Sequence, residues 1–540
     1  ALAGVINIIT KKGQKKNQGS FQSRYGTNQT LDLNADYAVQ HKGGEQRFFV
    51  NRNSSDGYRL NPNTVSQTVP EFYNYTINYN GNFTFNDQWI LDASYRWFGE
   101  WQNDQSQRMI SNNQVLIHQY MRQSDWMASS TLRYKTHGGV NFMFRWYSSS
   151  FGTEMEQVSD DQYFDQTLST FRQTFHRPEL QVDLPWNNQH FTVFGVGNTW
   201  EQVDAERYPN QPSFTNPFVF GQHQWLISEK WNVTGGLRFD GHSAYQSQIS
   251  PKFSTRYALT DNVQFRVSAG RGFRAPDFRQ LFLDFTNSTA GYTVFGSNTV
   301  LNGITQQMQL GDIDRLFMDL TSLEQIRAES SWAFNVGADI NIAKVLRWRI
   351  NAFRNDVSDL IETQPVARRT NGQNIFTYFN IDQARTQGFE SEWQFRFSDN
   401  MSLSFGYQFL DATRRVSRSL QVQDHKGEVV VKNVVSYEPL FNRSRHSGNV
   451  LFFYNHSSGW SVNLRGQLRG AFALIDRNGN GFADRNEYET AYTLWNTAVS
   501  KKFGTNVQLQ LGIDNALDYT HINLPFLPGR LWYTQLQLTF

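Results

Sequence analysis

Polar and apolar residues alternate strictly over many segments of this chain. Between residues 460 and 469, apolar side chains and one glycine fill every second position, and polar side chains fill the positions between them. Successive side chains of a β-strand point to opposite faces, so one face of such a segment suits an apolar medium and the other suits water. At the end of the chain, Trp532, Leu536, Leu538 and Phe540 likewise share one face. The alternation predicts an all-β protein.

The connections between these segments alternate between short and long. The short ones are residues 41–44, 86–88, 136–139, 186–189, 260–262, 343–346, 398–400, 456–459 and 503–506. The long ones are residues 102–115, 151–170, 272–331, 362–385, 411–445 and 471–489. This asymmetry is typical of a transmembrane antiparallel up-and-down β-barrel with short periplasmic turns and long extracellular loops. The tally predicts about 22 strands, an even number that closes without an edge, and barrels of this size usually contain a plug.

The composition agrees with this interpretation. The 540 residues include 44 Phe, 23 Tyr and 15 Trp, although the mean hydropathy is only −0.58. A polar average with many aromatic residues is expected for a barrel with a wet lumen and an aromatic girdle at each membrane interface. No apolar run is long enough for a transmembrane helix. The net charge of +2 gives no reason to expect a nucleic-acid partner.

The sequence also limits the chemistry. It contains no Cys, which excludes disulfides, thiolate metal sites and Cys nucleophiles. Neither the nucleophile-elbow motif of hydrolases nor a Walker-type phosphate-binding loop is found, so we do not expect an enzyme. The 11 His residues are scattered, and none shows the tight spacing of a metal-binding motif.

Several segments resemble, in the same order, motifs of the TonB-dependent outer-membrane receptors. They are ALAGVINIITKKG at residues 1–13, ISPKFSTRYALTDNVQFRVSAGRGFRAP at 249–276, IRAESSWAFNVGADI at 326–340, NAFRNDVSDLIE at 351–362, TQGFESEW at 386–393, NALDY at 515–519 and PGR at 528–530. The terminal Phe540 is similar to the assembly signal of bacterial outer-membrane barrels. The resemblance implies that residues 1–16 are the C-terminal remnant of a plug domain and that residues 17–540 are the outer-membrane β-barrel.

The resemblance also implies active import of a scarce solute. The TonB–ExbB–ExbD complex would act through the plug region, which is otherwise missing from this stretch, and the barrel would sit in outer-membrane lipid and lipopolysaccharide. An iron–siderophore or similar iron chelate is the first expectation for the solute, and cobalamin, haem or a glycan are alternatives. Two interpretations of another class stay open, namely a passive porin and a surface docking scaffold for a lipoprotein partner.

Polar residues recur on the faces predicted to line the lumen. They include Arg266, Arg347, Arg465, Arg469, Gln508 and Gln510. A basic lumen suits anionic ferric chelates. Every barrel of this type has a polar lumen, however, and its arginines can pair with the plug. The pattern therefore names no substrate-binding residue.

The segment DRNGNGFADRNE at residues 476–487 fits the calcium-loop pattern D-x-[DN]-x-[DN]-G-x5-E. The predicted ligands are the side chains of Asp476, Asn478 and Asn480, the carbonyl of Phe482, Asp484 directly or through water, and Glu487 with two oxygens. The flanking residues read as strands rather than helices. We therefore predict a structural Ca²⁺ ion that stiffens an extracellular loop, against the alternative of a polar Asn-Gly turn.

The longest predicted loop, residues 272–331, carries further expectations. Its first part contains no His, which weakens haem as the substrate. The segment that begins at Leu316 could form a short helix. Loop aromatics such as Phe282, Phe285, Tyr292 and Phe295 could cap the barrel mouth, but ordinary packing within the loop is the favoured interpretation.

Overall fold

The computed structural model describes residues 17–110, 113–159, 164, 166–287, 292–381, 383–423, 429–475 and 482–540. Its strands, in chain order, are β1 (Gln18–Gly26), β2 (Thr30–His41), β3 (Gly44–Ser55), β4 (Glu71–Thr84), β5 (Trp89–Ile110), β6 (Asn113–Lys135), β7 (Asn141–Val158), β8 (Thr167–Pro185), β9 (His190–Ala205), β10 (Ser213–Ser228), β11 (Trp231–Asp240), β12 (Gln248–Thr260), β13 (Val263–Arg274), β14 (Asp284–Asn287), β15 (Tyr292–Phe295), β16 (Ile313–Leu316), β17 (Glu329–Ile342), β18 (Leu346–Ser358), β19 (Leu360–Arg369), β20 (Asn374–Ile381), β21 (Ala384–Ser398), β22 (Met401–Gln423), β23 (Val429–Pro439), β24 (His446–Asn455), β25 (Trp460–Arg469), β26 (Phe472–Ala473), β27 (Tyr488–Glu489), β28 (Tyr492–Phe503), β29 (Val507–Asp514) and β30 (Leu531–Thr539). The helices are α1 (Phe278–Phe282) and α2 (Val300–Gln309), with 3₁₀ turns at Leu320–Ser322 and Arg485–Glu487. No helix in these ranges is both long and apolar enough to cross a membrane.

The main sheet closes into a barrel. It contains 23 strands, and its first and last strands pair antiparallel, with Ser20 opposite Thr539 and Gly26 opposite Tyr533. The second half of β22, residues 413–423, pairs with β23. The first half, residues 401–409, pairs with β24 and continues the ring, so β23 lies outside the ring. The closed ring therefore has 22 strands, which confirms the predicted architecture.

The predicted short turns all lie between paired neighbouring strands, and the structure adds one more at residues 229–230. Several predicted long loops were wrong over most of their length, including residues 411–445, which lie mainly in β22 and β23. Most of residues 102–115 belongs to β5 and β6, and residues 151–158 and 167–170 belong to β7 and β8. These hairpins extend beyond the apolar band with polar residues on both faces, so the period-2 signal disappears although the strand continues.

The faces of the wall follow the predicted alternation. Leu509 and Leu511 are 40% and 60% exposed, and the same face continues across β30 through Leu536, opposite Leu509, and Thr534, opposite Leu511. The opposite face holds Gln508 across from Gln537. Apolar side chains therefore face outwards and polar ones face the lumen.

Two long loops fold together into a cap. Residues 275–328 supply β14, β15 and β16, and residues 359–383 supply β19 and β20; these form a separate five-stranded sheet in the order β14-β15-β20-β19-β16. Its core contains Ile304 from α2 with Val366, Ile375 and Phe295, all at most 3% exposed. The burial of Phe295 agrees with the favoured packing interpretation.

The predicted helix near Leu316 was wrong. That segment begins at the last residue of β16 and contains a single 3₁₀ turn, and the helix lies earlier, at Val300–Gln309. Val300 and Ile304 are the buried residues of α2. They are four positions apart, so they lie on one helical face and pack against the sheet.

Candidate functional site

The lumen wall carries a basic strip on neighbouring strands. Lys252, Ser254 and Arg256 alternate along β12 and therefore share the lumen face. Arg256 lies directly opposite Arg266 of β13 in the strand register. Two like charges placed directly opposite each other destabilise a strand pair unless something compensates them.

One buried carboxylate compensates part of this charge. Asp339 on β17 is 3% exposed, and its Oδ2 lies 3.0 Å from a guanidinium nitrogen of Arg266. Its Oδ1 is buried and accepts no hydrogen bond from any residue that the structure describes. Arg256, in contrast, has among the described residues only a 3.4 Å hydrogen bond to the neutral side chain of Gln264. The pair therefore keeps a net positive charge towards the lumen.

The strip also has an acidic end, which lies on β21, two strands beyond β17. Arg349 lies opposite Asp339 in the register and reaches Glu392 at 3.4 Å. Glu390 accepts a 2.8 Å hydrogen bond from Gln408. The basic end thus lies on β12 and β13, and the acidic end lies on β21.

Two cavities lie along this strip. They have volumes of 520 Å³ and 440 Å³ and share Arg266, Asn351 and Glu390. Around Arg256 and Arg266, the smaller cavity is lined mainly by hydroxyl and amide groups. These belong to Asn232, Thr234, Ser254, Thr255, Ser268 and Asn335. Guanidinium groups with neutral hydrogen-bond donors beside them suit an anionic ligand rich in oxygen atoms.

At the long-loop end, stacked rings border the barrel mouth. Phe214 stacks on Phe278 at 3.9 Å and contacts His242 at 4.7 Å, and His242 stacks on Tyr245 at 3.6 Å between ring centroids. Burial lowers the pKa of His242 to about 4, and burial is also the main cause that raises the pKa of Tyr245. The Nδ1 atom of His242 accepts the N–H of Ala244 at 2.9 Å, so the neutral ring carries its proton on Nε2. Phe214 and Phe278 are only 3% and 6% exposed, so these rings form part of the apolar core between wall and cap.

The six predicted lumen residues all lie on lumen-facing positions, but the structure does not bring them together. Arg266 and Arg347 belong to the strip region, whereas Arg465, Arg469, Gln508 and Gln510 lie on β25 and β29. Arg469 covers the ring of Phe472 at 3.8 Å, and Gln508 bonds Ser500 at 3.1 Å. These four positions therefore support the wall near the strands that close the barrel.

The predicted calcium loop is only partly described. Asp476, Asn478 and Asn480 lie outside the described residues. Asp484 and Glu487 form a capping box around a 3₁₀ turn, in which Glu487 Oε2 accepts the Asp484 N–H at 3.0 Å, and Glu487 is 3% exposed. Phe482 is half-buried beside them. Within the described ranges no group of three His, Asp or Glu residues could hold a metal, so the calcium site stays a prediction.

Sequence reasoning missed Lys252, Arg256 and Asp339 as members of one site. A signal existed for the first two, because alternation along PKFSTRY places them on one face. The position of Arg256 opposite Arg266, and of the buried Asp339 within reach of Arg266, depends on the register between β12, β13 and β17.

The closed ring, its outward apolar face and its polar lumen define a transmembrane β-barrel of the bacterial outer membrane. The family model of the TonB dependent receptor-like β-barrel matches residues 14–516. The chain belongs to the TonB-dependent receptor family.

Individual relatives are distant. The iron-regulated outer membrane virulence protein of Vibrio cholerae is 23% identical over 239 residues, which cover 42% of this chain and 33% of that protein. The vitamin B12 transporter BtuB of Vibrio vulnificus is 22% identical over 402 residues, which cover 73% of this chain and 56% of that protein. The solved ferric enterobactin receptor PfeA of Pseudomonas aeruginosa superposes with a TM-score of 0.72 at 16% identity, over 100% of this chain and 83% of that chain. The chain thus spans a third to somewhat more than half of the length of these curated relatives.

Proposed function

We propose that this barrel takes part in TonB-dependent import of an anionic iron chelate across the outer membrane. Family membership supports the import class, and relatives named for iron and ferric enterobactin support the metal. In this proposal the TonB–ExbB–ExbD complex supplies the energy through a plug region, and the barrel performs no covalent chemistry.

The observation that carries the substrate class is the opposed pair Arg256 and Arg266 beside a cavity of 440 Å³. Asp339 compensates Arg266 alone, and a neutral solute would add no charge to balance Arg256. An anionic chelate, with several negatively charged oxygens around its metal, would pair with Arg256 while Asp339 holds Arg266 in place.

The test is uptake by cells that produce the protein in the outer membrane and lack other receptors for the probes. The probes are radiolabelled ferric catecholate, ferric hydroxamate, ferric citrate and cobalamin, each with and without a functional TonB. We expect TonB-dependent uptake of an anionic ferric chelate, and we expect Arg256→Ala to reduce it about tenfold, as for the loss of a charged hydrogen bond.

Two matched variants sharpen the experiment. Lys501→Ala removes a cation from the outward face of β28 and should leave uptake unchanged. Arg256→Lys keeps the charge without the planar fork, so it should recover part of the uptake. Uptake of cobalamin alone would overturn the substrate class, and uptake that persists without TonB would overturn the import class.

We further propose that the loop 476–487 binds Ca²⁺ through Asp476, Asn478, Asn480, Phe482, Asp484 and Glu487. The sequence pattern supports this, together with the capping box that holds Asp484 and Glu487 on one side of the loop. Calorimetric titration of Ca²⁺ should show one site that is lost in the double variant Asp476→Ala with Glu487→Ala. Binding that is unchanged in that variant would refute the site.

A further inference from the structure

A groove of 670 Å³ opens on the outer wall of the barrel across β5–β9. Its floor follows one row of the strand register, with Gly99 opposite Ser124, Ser124 opposite Gly152, and Gly152 opposite Arg172. Small side chains occupy the first three positions of this row, so the sheet surface is recessed there. Because Gly99 alternates with the lumen-facing Phe98 and Glu100, the row faces away from the lumen.

Tryptophans fix the depth of the groove in the membrane. Trp97 and Trp101 flank Gly99, and Trp101 stacks on Tyr73 at 5.2 Å. These tryptophans lie eight and twelve positions after Trp89, whose ring contacts that of Tyr134 at 4.6 Å near the short turns. At about 3.3 Å per residue and a tilt of about 40°, the separations correspond to about 20 and 30 Å along the membrane normal. The apolar band of such barrels is about 25 Å tall, so the groove lies at head-group level on the long-loop side.

Four charged side chains line this groove. Arg122 and Arg172 are cationic, and Glu154 and Asp204 are anionic. All four are exposed. Among the described residues, none of the four makes an ion pair or a side-chain hydrogen bond, although Arg122 is opposite Glu154 and Arg172 is opposite Asp204 in the register. Opposite charges therefore alternate across the groove at about the spacing of neighbouring strands, roughly 4.8 Å.

This charge pattern selects among lipid head groups. A purely anionic head group would satisfy the two arginines but would be repelled by Glu154 and Asp204. A head group whose cation carries no N–H would offer those carboxylates no hydrogen bond. A phosphate that carries a primary ammonium group satisfies both sets, because the guanidiniums bind phosphate and the carboxylates accept from the ammonium.

We propose that this groove binds the phosphoethanolamine head group of a lipid in the outer leaflet. Arg122 and Arg172 hold the phosphate, Glu154 and Asp204 hold the ammonium, and Trp97 and Trp101 contact the glycerol or sugar and the first methylene groups. The proposal depends on the membrane location of the barrel and is independent of the imported solute.

The test is native mass spectrometry of the detergent-solubilised protein with three short-chain probes, namely phosphatidylethanolamine, phosphatidylglycerol and phosphatidylcholine. We expect one phosphatidylethanolamine to stay bound at about tenfold lower concentration than either other lipid. The double variant Arg122→Ala with Arg172→Ala should lose this retention. Arg271→Ala, which removes an arginine from the outward face of β13, is the matched control and should retain it.

Two further variants separate the groove from general surface charge. Gly152→Leu fills the floor, and the new Cβ would meet no atom closer than 3.6 Å, so folding should be unaffected while binding is lost. Glu154→Gln with Asp204→Asn should shift the preference from phosphatidylethanolamine to phosphatidylglycerol. Equal retention of both lipids by the unmodified protein, or no effect of Gly152→Leu, would overturn the proposal.

Discussion

In the barrel wall the apolar side chains face outwards, and Leu511 and Val336 are 60% and 56% exposed. In the cap the apolar side chains face inwards, and Ile304 and Ile375 are 0% exposed. The wall has a polar lumen and closes through backbone pairing from β1 round to β30. The cap packs a five-stranded sheet and α2 around a compact apolar cluster. The same strand geometry is thus stabilised by lipid in one region and by burial from water in the other.

The two regions should therefore be sensitive to different substitutions. Removing apolar volume is costly in the cap, because a cavity is left behind. Adding a charge is costly on the outer face of the wall, because the charge enters lipid.

Ile304→Ala should destabilise the cap by about 2–5 kcal/mol, since the side chain is fully buried among Val366 and Ile375. Hydrogen exchange should show faster opening of α2 and β20, while the barrel keeps its resistance to SDS at room temperature. Leu301→Ala on the exposed side of the same helix is the control and should change little. Loss of SDS resistance in Ile304→Ala would show that the cap and wall do not unfold separately.

Leu511→Arg should destabilise the wall by about 2–4 kcal/mol, because the new charge faces the lipid. Its neighbour Gln510 faces the lumen and bonds the hydroxyl of Tyr533 at 3.3 Å. Gln510→Arg should therefore cost much less in the same denaturant titration in lipid vesicles. Equal costs for the two variants would contradict the assignment of faces.

Glu329→Gln should weaken the junction between wall and cap by about 1–3 kcal/mol. Glu329 is 1% exposed, and its Oε1 accepts both from Arg274 and from the backbone N–H of Ile361 at 3.0 Å. The charge-assisted bond to Arg274 would be lost, so hydrogen exchange in β19 should accelerate. Glu324→Gln, at a carboxylate that is 83% exposed, should have no such effect.

The connection at residues 241–247 should also lose stability in acid through His242, which contacts Phe214 and through it the cap residue Phe278. Burial lowers the pKa of His242 from 6.5 to about 4, so between these values the unfolded connection binds a proton that the folded one excludes. His242 therefore does not reduce the stability above pH 6.5, and the stability falls as the pH drops from 6.5 towards 4. Proteolysis of residues 241–247 at pH 7 and pH 4.5 should show a smaller difference in His242→Asn, whose side-chain oxygen can still accept the Ala244 N–H. The same acid sensitivity in that variant would assign the effect to another group.

The faces of the wall strands and the closure of the barrel could be predicted from the sequence alone. Alternation at period 2 predicted the faces of segments such as residues 460–469 and 507–513, because a strand between lipid and water is apolar on one face and polar on the other. The turn residues marked nearly every short connection. The predicted closure with about 22 strands followed from the same tally. The outer extensions of β5–β8 were missed because water lies on both of their faces and removes that pattern.

The contacts between residues on different strands and loops could be seen only in the folded structure. Three features depend on register and on contacts between segments that are distant in sequence. They are the opposition of Arg256 and Arg266, the burial of Asp339 beside Arg266, and the joining of two loops into one cap. The outer groove likewise exists only because Gly99, Ser124 and Gly152 fall in one row of three strands. Local periodicity fixes the face on which a side chain lies. A site also needs side chains of several neighbouring strands at the same level, and the strand pairing around the ring sets that level.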